Sequence, residues 1–217
     1  MTDVGIADAP EPTLKPTHPV IVRITHWINA FAIILMIGSG WKIYNASPLF
    51  GFKFDNNFTL GGWLGGALLW HFAAMWLFVL NGLVYVTYGV VSGHFRRSFW
   101  PIRPGDVLRE FSLALQFKLP HDGGVYNAVQ RLAYVGVIGA MTVAFLSGLA
   151  IWKPVQLQVI AAFLGGYEGA RIVHFLAMSA IVAFLIIHLT LVAIVPSTLW
   201  PMIWGGARGG HDEGDKS

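Results

Sequence analysis

Four of the eight histidines in this 217-residue chain fall in long apolar stretches, where an ionisable side chain is costly and by default functional. His174 and His188 share one such stretch, residues 172–195, fourteen positions apart. At about 3.6 residues per turn and about 1.5 Å rise, fourteen residues make almost four turns, so both imidazoles point one way, about 21 Å apart along the axis. One helix therefore offers two nitrogen ligands at two depths. His26 and His71 sit in two other apolar stretches, which makes two opposed pairs possible. A neutral imidazole carries a lone pair for a metal. The same residues could also move protons or merely hydrogen-bond a neighbouring helix.

The elements that must position these side chains follow from composition. The chain is 55% hydrophobic and 12% charged, too apolar for a soluble domain of this size. Residues 22–41, 62–88, 129–152 and 172–195 are each long enough to cross about 30 Å of hydrocarbon. The expected fold is an all-α membrane protein, a four-transmembrane-helix bundle over residues 21–204, with short interfacial helices at 107–119 and, on the other face, 155–164. Residues 1–20 hold four prolines and lack a basic leader, and 205–217 hold five glycines and mixed charges; both read as disordered tails. Gly61, Gly62, Gly65 and Gly66 form overlapping GxxxG patterns, read as close helix packing, whereas Gly38 and Gly40 in the first span and Gly136, Gly139 and Gly148 in the third could instead leave room for a flat cofactor between helices. Trp41, Trp63, Trp152, Trp200 and Trp204 near span ends fit an interfacial aromatic belt.

Orientation follows from basic residues. With four spans both termini share a side, and that side holds Lys15, Arg23, Arg96, Arg97, Arg103, Arg109, Lys118, Arg131, Arg208 and Lys216. The other holds only Lys42, Lys53, Lys153 and Arg171. The positive-inside rule puts both termini in the cytoplasm. That bias explains the pI of about 9.3 without nucleic acid. Cysteine is absent, which excludes thiolate-ligated iron–sulfur clusters, covalent c-type haem attachment and disulfides.

Depths can now be compared. His26 opens a span that enters from the cytoplasm and lies on the inner side. His71 and His174 sit in the outer halves of spans that enter from outside, and His188 lies eight residues before Pro196, near the inner leaflet. His26 thus pairs by depth with His188, and His71 with His174. Bis-histidine ligation of haem iron demands one imidazole on each face, whereas simple helix-to-helix hydrogen bonding predicts no depth matching. A metal or proton transporter would use acidic residues near the midplane, and none of the four spans contains Asp or Glu. Two stacked haem b groups, bound by metal ligands His26, His71, His174 and His188, are the expectation.

The segments RITHW (23–27), LLWHF (68–72), YNAVQ (126–130) and HFLAMSAIVAFLIIH (174–188) resemble the bacterial cytochrome b561-like, di-haem cytochrome b subunits of membrane redox complexes, including formate dehydrogenase, nickel-iron hydrogenase and thiosulfate reductase. The resemblance covers roughly residues 19–205. It implies the same ligand pairs. It also implies a quinone site at Asn127 and Gln130, which could donate amide hydrogen bonds to a quinone carbonyl, although Asn127 could equally cap a helix. Arg23, one turn before His26, could neutralise a haem propionate or serve as an ordinary flanking charge, and Arg171 has the same two readings on the outer side.

The resulting expectation is a quinone-reactive electron-transfer subunit of the bacterial inner membrane. It would exchange electrons between menaquinone or ubiquinone near the cytoplasmic face and a periplasmic redox partner, with a molybdopterin oxidoreductase preferred. Lipid would be the remaining contact, and no nucleic acid is expected. The alternative is a stand-alone superoxide:quinone oxidoreductase, which needs an open, positive site over the outer haem.

Overall fold

The computed structural model describes residues 18–93, 95 and 128–205. Four long helices carry the fold: α1 (Val20–Ala46), α2 (Leu64–Val91), α3 (Ala128–Trp152) and, after the short α4 (Gln158–Phe163), α5 (Gly166–Ile194). A last short helix, α6 (Leu199–Trp204), follows Pro196. All four long helices are apolar and long enough to cross a membrane, and the protein is a multi-pass membrane protein.

The helix ends are written in the chain. Pro19 precedes α1 with an extended backbone and its carbonyl accepts from the amides of Val22 and Arg23, a start suited to proline's fixed φ. Pro154 follows soon after α3, and Pro196 follows α5, where a missing amide prevents continuation. Gly165 and Gly166 take φ of 87° and 79°, left-handed values that let α4 reverse tightly into α5.

α1 packs along α2, and α3 along α5. Small residues make these contacts: Ala32, Ser39, Ala67 and Ala74 are buried in the first pair, and Ser147, Ala150, Ala170 and Ala177 in the second. Large side chains such as Leu69, Leu80, Leu176 and Ile187 face outward. Lipid is as apolar as leucine, so helices gain by close backbone approach, which only small residues allow. A polar clasp adds specificity. Asn81 on α2 donates to the Thr25 carbonyl at 2.8 Å and to Asn29 Oδ1 at 2.7 Å on α1.

Both ends of the bundle are tied. On one side the guanidinium of Arg23 donates to the Ile203 carbonyl (2.9 Å) and Trp27 Nε1 to that of Met202 (3.3 Å), holding α6 across the start of α1. On the other, Asn45 exchanges two hydrogen bonds with the backbone of Phe54, Lys42 donates to Asn56, and Arg171 joins Ser47 to Glu168. Tyr44, Phe50, Phe52 and Phe175 gather there into one aromatic cluster.

Several details differ from the sequence expectation. α1 and α5 run five or six residues beyond the apolar stretches at their outer ends, because Lys42, Asn45, Glu168 and Arg171 remain helical while partnering polar groups outside the hydrocarbon. The glycine run does not pack helices together. Gly61 and Gly62 form a turn with φ of 108° and 69°, and a Cβ on Gly66 would collide with the Gly61 carbonyl, so these residues fold the chain back on the start of α2. Trp41 leaves the aromatic belt and stacks on Phe54, with centroids 4.6 Å apart; Trp63, Trp152, Trp200 and Trp204 are exposed. A short helix does occur within 155–164, whereas the stretch 107–119 and most of the two tails lie outside the described residues.

Replacing Asn81 with Leu should lower thermal stability in detergent by about 1–2 kcal/mol, given interhelical hydrogen bonds averaging about 0.6 kcal/mol each. An unchanged unfolding midpoint would show that the clasp contributes nothing.

Candidate cofactor site

The four histidines form two facing pairs between the helix pairs. His71 on α2 and His174 on α5 have ring centroids 6.4 Å apart with planes at 69°. His26 on α1 and His188 on α5 have centroids 6.2 Å apart with planes at 62°. The depth matching expected from the sequence is met in space.

The geometry of the outer pair has a physical cause. His174 Nδ1 lies 2.8 Å from the Ala144 carbonyl and 3.2 Å from Ser147 Oγ on α3. A carbonyl can only accept, so Nδ1 carries the proton and Nε2 keeps its lone pair. His71 Nδ1 lies 3.1 Å from Ser39 Oγ on α1. Ser39 and Ser147 also bond the carbonyls one turn back in their own helices, which fixes each hydroxyl. Glycine follows each serine: a Cβ on Gly40 would stand 3.5 Å from His71 Cε1, and one on Gly148 3.1 Å from His174 Cε1. Both rings are therefore held by hydrogen bonds on one edge and admitted by glycine.

The inner pair is held differently. His188 stacks on Phe184 (5.8 Å, 6°) and His26 meets Trp27 edge-on (5.2 Å). His26 Nδ1 is buried with no hydrogen-bond partner among the described residues.

Two imidazoles on one metal have centroids about 6.3 Å apart, taking about 2.0 Å for each metal–nitrogen bond and about 1.15 Å from nitrogen to ring centre. Both observed separations agree. Among the described residues no three His, Cys, Asp or Glu side chains converge, so a metal at either pair must bring most of its coordination with it. The outer pair opens on a cavity walled by apolar side chains including Ile37, Met75, Phe78, Met141 and Phe145.

The sequence pattern of the prokaryotic cytochrome b561 family matches residues 17–205. The chain belongs to that family. This b561-type cytochrome is 49% identical over 189 residues, 87% of its own length and 96% of the relative's, to the putative protein-methionine-sulfoxide reductase subunit YedZ1 of Azospira oryzae. It is 24% identical over 185 residues, 77% of its length and 73% of the relative's, to the probable Ni/Fe-hydrogenase B-type cytochrome subunit of Bradyrhizobium diazoefficiens. Membership makes the chain a haem b protein of electron transport. Its residues fit that group: paired imidazoles at one-metal spacing, hydrogen bonds at Nδ1 of His71 and His174 that leave their Nε2 atoms free, and an apolar cavity for a flat macrocycle.

The other candidates fall as follows. Arg23 stands one turn before His26 but gives its guanidinium to the Ile203 carbonyl, while its Nε is buried without a partner. Gln130 lies in the first turn of α3, and Asn127 lies outside the described residues. Sequence reasoning pointed to Gly40 and Gly148 but missed Ser39 and Ser147. The signal was present as a repeat, each serine standing directly before one of these glycines at 39–40 and 147–148.

Gly148→Val should lower haem b content per chain, since its side chain would press on His174, whereas Gly139→Val, with open space around its Cβ, should not. Pyridine haemochrome assays of the two variants test this, and equal haem content would refute the steric role of Gly148.

Proposed function

We propose that this cytochrome is a di-haem membrane-anchor subunit that carries electrons between the quinone pool, near the cytoplasmic face, and a redox partner at the periplasmic face of a bacterial inner membrane. The observation that carries the proposal is the pair of facing imidazole couples, 6.2 and 6.4 Å between centroids, at two depths on one helix. His26 and His188 ligate the inner haem, and His71 and His174 the outer one. Each bound haem supplies a one-electron carrier held within the bilayer. The chain supplies alignment. Ser39, Ser147 and the Ala144 carbonyl hold the outer rings and strengthen their donor nitrogens, as hydrogen-bonded outer partners of metal-ligating histidines do. About 21 Å of α5 separates His174 from His188.

The partner reading rests on the relatives. One is named as a putative protein-methionine-sulfoxide reductase subunit, which supports a sulfoxide-reducing partner in preference to a hydrogenase; a periplasmic molybdopterin oxidoreductase is the type proposed. Reducing a sulfoxide to a thioether and water consumes two electrons and two protons. A chain serving it would draw electrons from quinol, menaquinol or ubiquinol, and pass them outward. Asn127 and Gln130 remain the proposed quinone contacts, Arg23 a proposed neighbour of the inner haem, and residues 1–20 and 205–217 the proposed cytoplasmic tails. The stand-alone superoxide:quinone reading finds less support. It needs exposed cations over the outer haem, yet Arg171 is engaged by Glu168 and Ser47, and Phe175 beside His174 is covered by Phe50 and Phe52.

Pyridine haemochrome assays should give two b haems per chain in the wild type. About one should remain after His26→Ala, His71→Ala, His174→Ala or His188→Ala; retention of both in any variant breaks the ligand assignment. Separately, Gln130→Leu should slow quinol-driven haem reduction by about 2- to 10-fold, the worth of one hydrogen bond, with haem content unchanged. A wild-type rate removes Gln130 from the quinone contact.

A further inference from the structure

The two packed helix pairs are copies of one unit. AxxxHFxAM occurs at 67–75 on α2 and at 170–178 on α5, and its alanines are buried alike: Ala67 and Ala170 are fully enclosed, Ala74 and Ala177 nearly so. Ser39–Gly40 of α1 stands to His71 as Ser147–Gly148 of α3 stands to His174, at 3.1 and 3.2 Å between hydroxyl and Nδ1. The correspondence α1 to α3 and α2 to α5 relates the two outer histidines to each other.

Carried to the inner end, the same correspondence changes residue type. Thirteen positions before Ser39 stands His26, and thirteen before Ser147 stands Tyr134. Fourteen positions after His174 stands His188, and fourteen after His71 stands Tyr85. The counterpart of the inner imidazole couple is therefore a phenol couple on α2 and α3. The correspondence that sets His26 of α1 against His188 of α5 sets Tyr134 of α3 against Tyr85 of α2, and both tyrosines are half-buried. Asn81, one turn before Tyr85, bonds Thr25 and Asn29 on either side of His26, which fixes Tyr85 near the depth of His26. Phe95 packs edge-on against Tyr85 at 5.3 Å. Tyr134 follows Gln130 by four positions in the sequence.

We propose that Tyr85 and Tyr134 hydrogen-bond the head group of a quinone seated between α2 and α3, beside the inner histidine couple. A quinone is a flat ring with an acceptor oxygen at each end. It asks for two donors at the edge of an apolar, aromatic-walled site. Two phenols offer O–H groups that can donate to a quinone or accept from a quinol. Imidazoles at these positions would instead bind metal. The inference rests on the quinone reading above and names the side chains that would recognise the ring.

The test uses full-length protein with its haem, purified as wild type, Tyr85→Phe, Tyr134→Phe, the double variant, and Tyr44→Phe as an outer-end control. Binding of 2-heptyl-4-hydroxyquinoline N-oxide, a quinone analogue, is read by fluorescence quenching, alongside haem content and the dithionite-reduced spectrum. Each inner single variant should bind about 3- to 10-fold more weakly and the double more weakly still, with haem content and spectrum unchanged and Tyr44→Phe like wild type. Wild-type binding in both inner variants, while the wild type itself binds, overturns the tyrosine assignment and leaves the quinone reading standing. If Tyr44→Phe weakens binding equally, the loss is not specific to the inner couple and the assignment also falls. No analogue binding and no quinol-driven haem reduction in the wild type overturn both.

Discussion

The bond from His174 Nδ1 to the Ala144 carbonyl, seconded by Ser147, is the interaction on which the rest of the structure depends. It acts at once as a helix-to-helix hydrogen bond and as the device that leaves Nε2 free. A membrane-buried imidazole without a partner would be expensive, so satisfying one nitrogen on the adjacent helix is what makes the other available. Ser39 does the same for His71. The packing serves this contact, because Gly40 and Gly148 next to the serines let each ring approach its neighbouring helix, and the buried alanines keep the backbones close enough for the bond to form.

This arrangement explains why the interior is built of alanine, serine, threonine and glycine while leucine, isoleucine and tryptophan face outward. A soluble bundle of this size would invert that pattern, since water would drive the large side chains inward. Here lipid removes the drive, and van der Waals contact between backbones with a few polar clasps replaces it. The cavity between the helix pairs is then left to a cofactor. Its apolar walls suit a flat macrocycle whose coordination is completed by the two rings.

Much of this was legible in the sequence, because bilayer thickness fixes helix length and helical pitch fixes where His174 and His188 point. The depth pairing of His26 with His188 and His71 with His174 followed from those two constants and the alternation of span direction. What was not legible depended on loops and second neighbours. The extra turns at the outer ends of α1 and α5 arise from Lys42, Asn45 and Arg171 finding partners beyond the apolar stretch, which hydropathy cannot register. Trp41 looked like a belt residue but stacks on Phe54, a loop residue thirteen positions away. The glycine run misled because GxxxG spacing is silent about whether the residues are helical. Positive φ at Gly61 and Gly62 makes them a turn.

The internal duplication also bears on direction. Two identical helix pairs would place one residue type at each pair of corresponding inner positions, leaving nothing there to distinguish a fixed cofactor from an exchangeable substrate. The outer end keeps the duplication: His71 and His174 are equivalent, each with its serine and glycine. The inner end abandons it, with imidazoles at 26 and 188 and phenols at 134 and 85. The outer couple is thus built as a two-sided clamp roofed by the aromatic cluster at Phe175. The inner end divides each of its two pairs of corresponding positions, 26 with 134 and 188 with 85, between a nitrogen donor suited to a metal and an oxygen donor suited to an organic carbonyl. An exchangeable substrate beside a fixed cofactor calls for such a division, because two sites of one chemistry would compete for the same occupant.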